Sequence, residues 1–258
     1  MKNKTPYVSI IIGYHRKKFF FKRTIQSISK QTFQSFEIII IYDDYDLSEL
    51  NFINKILKNN LNSRIIINKK NIGAGLSRNK GIYHAKGKYI AFCDADDLWH
   101  KDKLKAQINF MEQQKINFSH TSYKVINNKE KILGKFNIPN RLDYNTLLKS
   151  CDIATSSVMV KRKFLRNKYL FSSSMTKEDY FLWLKIIKKE KYLYGMRSYL
   201  LMWRSSKNSL SDSIFQKLID AFKLYNTYEK YNSLFSLYFV IRLSFYALIK
   251  KLKIFGQF

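Results

Sequence analysis

The sequence predicts an α/β protein with a Rossmann-like, mostly parallel central sheet flanked by helices and a C-terminal helical extension. Four short apolar runs in the first hundred residues, rich in β-branched side chains, read as strands covered on both faces. Segments of helical period separate them, which is the alternation of right-handed β-α-β units. Acidic residues gather just after the second and fourth runs, at the carboxyl edge where such sheets bind ligands.

The elements follow in order. "YVSIII" (7–12), "FEIIII" (36–41), "RIIIN" (64–68) and "YIAFC" (89–93) are the four strands. Phe21, Ile25 and Ile28 recur at helical spacing after the first. Ser48 is the expected N-cap of "ELNFINKILKNN", and a helix over 74–84 follows a glycine turn. In "HKDKLKAQINFMEQQK" Leu104, Ile108 and Met111 share one helix face. Two further strands are expected at 118–126 and 156–160. Tyr180, Trp183, Leu184 and Ile187 then mark a helix in "EDYFLWLKIIKKE". These elements fill one domain, 1–212.

From 213 to 258 the character changes. "NSLFSLYFVIRLSFYALIKKLKIF" is apolar on several faces, interrupted by Arg242 and followed by Lys250, Lys251 and Lys253. Counted from Leu234 to Ile249, the run of about 16 residues falls short of the ~20 that span a bilayer. A helix lying in the interface of an anionic membrane is therefore expected, with a helix folded back on the domain as the alternative.

At 258 residues and 46% hydrophobic composition, the chain can build one large core and is no disordered or low-complexity sequence. A net charge of +28 attracts polyanions, either nucleic acid or an anionic bilayer, without choosing between them. Cys93 and Cys151 lack metal-ligand spacing and are too few for a disulfide framework. His15, His84, His100 and His120 show no ligand spacing either. The start, "MKNKTPYVSIII", has no signal-peptide apolar stretch, so a cytosolic location is expected. "NIGAGLSRNKG" lacks both GxGxxG and the P-loop arrangement, which argues against a dinucleotide or ATP site.

The acids of "YIAFCDADDLW" carry the chemistry. Asp94, Asp96 and Asp97 at one strand end repel one another unless a cation lies among them. Hard ions such as Mg2+ or Mn2+ take oxygen ligands and complete their shells with substrate phosphates.

"VSIII", "TIQSISKQTFQSFEIIIIYDD", "NIGAGLSRNKGIYHAKGKYIAFCDADDLW" and "KEDYFLWLKI", in this order and spacing over about 210 residues, resemble a family 2 glycosyltransferase of GT-A fold. Within it, "TLLKSCDIATSSVMV" is similar to bacterial surface-polysaccharide and teichuronic-acid-type enzymes. The resemblance implies an inverting transfer from a nucleotide-diphosphate sugar, with UDP the expected nucleotide. It implies that Asp43 or Asp44 meets the base and that Asp94 and Asp96 hold the metal and donor diphosphate, with Asp97 extending the motif. Arg78 is expected near the nucleotide, Asp179 as catalytic base, and Glu178 beside it in support. Gly13 and Tyr14 stand in the nucleotide-facing loop, where Gly-Tyr-His-Arg replaces the family's usual Pro-Thr-Tyr-Asn. Arg204 is expected at the diphosphate, while Ser206 replaces a frequent His and removes a possible third metal ligand.

The expected function is sugar transfer to a lipid-linked glycan at the cytoplasmic membrane face, in cell-surface polysaccharide synthesis. Alternatives are a protein or soluble acceptor and, from another class, a basic nucleic-acid-binding protein. The latter lacks any recognised RNA-binding pattern among its aromatic residues.

Overall fold

The computed structural model describes residues 5–58, 62–165, 170–174, 176–205 and 213–256. β1 (Val8–Tyr14), β2 (Phe36–Tyr42), β3 (Ser63–Ile67) and β4 (Tyr89–Phe92) pair in parallel, in the order β3-β2-β1-β4. Ile11, Ile39, Ile41, Ile90 and Phe92 enter one core cluster; Ile10, Ile12, Ile38, Ile40 and Ala91 enter the other. Both faces of β1, β2 and β4 are covered, so period-2 alternation is apolar on both sides and reads as continuous runs, while β3, at the sheet edge, is only partly buried.

α1 (Lys18–Ser29) buries Phe21, Ile25 and Ile28, as their spacing predicts. α2 (Leu50–Leu57) begins later than expected. Its N-cap is Glu49 with no side-chain cap, and Ser48 lies in the preceding turn, donating its amide to Asp46. α3 (Ala74–His84) packs directly on the sheet, where Gly81 faces Ile11. Because β1 to β4 run the same way, Asp43, Asp44, Asp94, Asp96 and Asp97 follow strands that end at one edge.

The second half completes the sheet with mixed pairing. β5 (Leu98–Trp99), α4 (Lys103–Gln113), β6 (Phe118–Ile126), β7 (Ile132–Phe136), β8 (Arg141–Leu142) and α5 (Tyr144–Leu147) lead to a 3-10 turn, Thr155–Ser157. β9 (Met159–Lys161), α6 (Arg162–Leu165), α7 (Glu178–Glu190) and β10 (Leu193–Arg204) follow. β9 lies antiparallel between β4 and β6, and β10 pairs in parallel with β6. The strand expected at 156–160 starts only at Met159, because the residues before it wind into the turn.

The C-terminal segment forms α8 (Ile214–Lys223), a π-helical turn and α9 (Ser233–Phe255). Ser213 and Asn232 cap the two helices by accepting from the amides of Gln216 and Phe235. α9 has 23 residues and a mean hydropathy of 1.4 over its best window, long and apolar enough to cross a membrane. This corrects the expectation from residues 234–249 alone: length does not exclude a span. The helix nevertheless rests on the domain, where Val240 and Leu243 join one core cluster and Ile254 the other. Gly134 on β7 leaves room for the backbone of Ile254. Arg242 donates to the Leu148 carbonyl (3.3 Å) and Lys250 to that of Cys151 (3.0 Å).

Candidate active site

The carboxyl edge holds the acids in two groups. After β2, both oxygens of Asp43 are occupied within the chain: one accepts from Asn68 Nδ2 (2.9 Å) and the Ile72 amide (2.8 Å), the other from the Gly73 amide (2.9 Å). Asp43 therefore holds the loop that leads into α3. Asp44 instead meets Arg16 Nε at 2.7 Å and His15 at 3.4 Å. The hydrogen bond from Arg16 holds its carboxyl below the usual range. Gly13, beside this loop at the end of β1, has open space where a side chain would stand.

After β4, Asp94 is partly exposed and its Oδ1 pairs with Arg78 at 2.7 Å. Asp96 pairs with Lys17 at 2.7 Å. Asp97 points inward and accepts from the Arg204 amide (2.8 Å). Burial, reinforced by the charges of Asp96 and Asp94, pushes its carboxyl well above the ordinary carboxylate range. Below this turn the buried Lys103 donates to Gln107 (2.8 Å) and lies 4.0 Å over the Trp99 ring. Burial lowers its pKa to about 7.

α7 supplies the opposing acids. Its apolar face buries Tyr180, Trp183, Leu184 and Ile187, which fixes its first turn, Glu178 and Asp179, against the edge. Glu178 meets the second amino group of Arg78 at 2.8 Å. Burial and the neighbouring Asp179 push Glu178 up to about 7, against the pull of Arg78. Burial of the Arg78 guanidinium works against its charge, but Asp94 and Glu178 outweigh it and raise its pKa. Thr155 Oγ1 donates to Asp179 Oδ2 at 2.8 Å, and the next hydroxyl, Ser156, accepts from the Asp94 amide at 2.9 Å. One buried turn thus touches both the strand-end acids and the helix-start acid.

Several residues stand differently from their expected places. Tyr14 is buried, its ring against Phe21 and Tyr42 and its hydroxyl donating to Glu49, so it offers the edge only backbone. Arg78 reaches the site through Asp94 and Glu178. Arg204 is also buried: it donates to the carbonyls of Asp96 (2.8 Å) and Asn127 (2.8 Å) and lies over Phe20, bracing the acidic turn from beneath. These carbonyls hold its guanidinium through Nε and one amino group, while the other amino group has no hydrogen-bond partner among the described residues. Ser206 lies outside the described residues. Lys17, Thr155 and Ser156 escape the sequence reading: their partners are 24 to 79 positions away, and their residue types carry no distinguishing spacing.

Asp94 and Asp96 fit a divalent ion in kind, as hard carboxylates at an accessible edge. Among the described residues, no group of three or more His, Cys, Asp and Glu is arranged to hold a metal. The chain would therefore supply part of a coordination shell that substrate oxygens complete.

A parallel half-sheet with acids at its carboxyl edge, extended by an antiparallel strand and a further parallel pair, is the GT-A glycosyltransferase fold. Residues 9–170 match Glycosyl transferase family 2, and the chain belongs to that family. It is 34% identical over 213 residues to the Escherichia coli UDP-Glc:alpha-D-GlcNAc-diphosphoundecaprenol beta-1,3-glucosyltransferase WfgD, covering 82% of each chain. It is 29% identical over 231 residues to the putative teichuronic acid biosynthesis glycosyltransferase TuaG of Bacillus subtilis, covering 89% of this chain and 91% of that one. In fold it is similar to S. aureus TarS 1-349 in complex with UDP-GlcNAc, with a TM-score of 0.68 and 17% identity over 91% of this chain and 72% of that one. The mannosyltransferase PcManGT from Pyrobaculum calidifontis, in complex with GDP-Man and Mn2+, gives a TM-score of 0.69 at 12% identity over 92% of this chain and 70% of that one.

Proposed function

We propose that the protein is an inverting glycosyltransferase that moves a sugar from UDP to a lipid-linked glycan at the cytoplasmic face of the membrane, in cell-surface polysaccharide synthesis. The observation that carries this reading is the polar frame joining Asp94 to Asp179 through Arg78, Glu178 and the Thr155–Ser157 turn. The activity for which the E. coli relative is named makes UDP-glucose and a GlcNAc-diphospholipid the first pair to test.

Asp179 accepts the proton of the acceptor hydroxyl as that oxygen attacks the anomeric carbon. The bond from that carbon to the diphosphate breaks on the opposite side, inverting the centre, and UDP departs. Asp94 and Asp96 would hold Mn2+ or Mg2+, which supplies charge stabilisation for the departing diphosphate. Asp44 is the acid that meets the base, since the carboxylate of Asp43 is already occupied by Asn68, Ile72 and Gly73. An incoming nucleotide exchanges with the Arg16 and His15 contacts over the space beside Gly13.

Calorimetric titration of UDP, with and without Mn2+, tests the donor half. Wild type is expected to bind in a metal-dependent manner, and Asp94→Ala with Asp96→Ala to lose that dependence. Transfer from UDP-glucose to the diphospholipid tests the other half: Asp179→Asn should abolish it while retaining UDP binding. Equal turnover by Asp179→Asn would remove the base assignment.

A further inference from the structure

Along α9, Leu234, Tyr238, Ile241, Phe245, Leu248 and Leu252 recur every three or four residues and are exposed, from 55% upward: Leu234 at 81%, Ile241 at 62%, Phe245 at 59%. A monomeric soluble protein rarely displays so long an unbroken apolar stripe. α8, in contact with α9, adds exposed Ile214, Phe215, Leu218 and Ile219. The charges of this segment are sorted. Its only acids turn inward: Asp220 accepts from Thr176, and Glu229 from Tyr144 and Lys188. Lys223, Lys230, Lys251 and Lys253 are exposed.

We propose that α8 and α9 form a docking surface on which the enzyme lies flat against an anionic lipid bilayer, deepening the reading that its acceptor is lipid-linked. Apolar side chains enter the acyl boundary while exposed lysines meet anionic headgroups. A second copy of the chain is the poorer occupant, because each copy brings a net charge of +28 and the same unopposed lysines to the contact. A spanning orientation is the poorer one as well. It would strip Val240, Leu243 and Ile254 from the core and carry Arg242 and Lys250 into hydrocarbon, away from the carbonyls that now receive them. Those carbonyls, of Leu148 and Cys151, belong to the segment that continues to Thr155, so the docking face adjoins the chain that reaches Asp179.

The test uses the full chain with phosphatidylcholine vesicles, with and without phosphatidylglycerol, in a sedimentation assay. Wild type should sediment with the anionic vesicles alone, less so as salt rises, and be released by alkaline carbonate. Ile241→Glu with Phe245→Glu should weaken binding more than about tenfold, with melting temperature and UDP affinity unchanged. Equal sedimentation of this variant overturns the proposal. So does a wild-type dimer that the same pair dissociates, or a protein that resists carbonate extraction. Vesicle binding without transfer to a diphospholipid would remove the acceptor reading and leave the docking surface standing.

Discussion

Thr155 donates to the same carboxylate oxygen of Asp179 that no other described hydrogen bond reaches, while Oδ1 accepts from the Tyr180 amide at 2.6 Å. Its hydroxyl therefore sets the rotation of the proposed base. Thr155→Val, which keeps the shape, is expected to lower kcat about 10- to 100-fold, with the donor KM little changed and UDP affinity intact. Thr155→Ser should recover most of the rate, which a purely steric role for the side chain would not predict; steady-state kinetics of the pair decides. Asp94 and Asp96 stand out in the sequence because acids at a strand end are conspicuous in type and place, whereas Asp179 is singled out only by the family resemblance, since an acid at a helix start is common. Thr155 and Ser156 were not, since hydroxyl residues are common and the partners lie 24 and 62 positions away.

At the scale of elements, α3 must lie close to β1 for Arg78 to reach Asp94 and Glu178 at once. Gly81 permits that approach: a Cβ there would fall well inside van der Waals distance of the Ile11 side chain, which is buried in the sheet. Helix propensity alone favours alanine over glycine by about 1 kcal/mol. Overpacking costs about 1–3 kcal/mol, so Gly81→Ala should destabilise in spite of its propensity. Combined with Ile11→Ala, the loss should be smaller than the sum of the two singles, as read by chemical denaturation. The parallel half was legible because its strands are continuous apolar runs rich in β-branched residues, including the partly buried edge strand β3. β5, β7, β8 and β10 were not. β5 and β8 have only two residues each, and β10 mixes buried and exposed positions around register shifts at Met196, Tyr199 and Leu201, which blurs any period.

For the whole molecule, the question is whether the segment after 212 is an appendage or part of the core. Composition separates it from the first 212 residues, but burial joins it to them: Ala221, Leu224, Tyr225, Val240 and Leu243 sit in the cluster that contains Trp183, and Ile254 in the cluster of β1 and α1. Sequence reasoning could not tell these alternatives apart, because an interfacial helix and a helix laid on a domain share an apolar stripe. Burial of one large aliphatic side chain contributes about 1.5–3 kcal/mol. Loss of Val240, Leu243 and Ile254 alone thus amounts to about 4.5–9 kcal/mol, comparable with the roughly 5–15 kcal/mol that holds a typical domain together. The chain ended after Tyr231 should consequently melt far below the full chain, or fail to fold cooperatively, on circular dichroism. It would also leave the Leu148 and Cys151 carbonyls without Arg242 and Lys250, loosening the segment that carries Thr155. An unchanged melting temperature for residues 1–231 would show instead that α9 is separable, and that its contacts with the sheet contribute little to the fold.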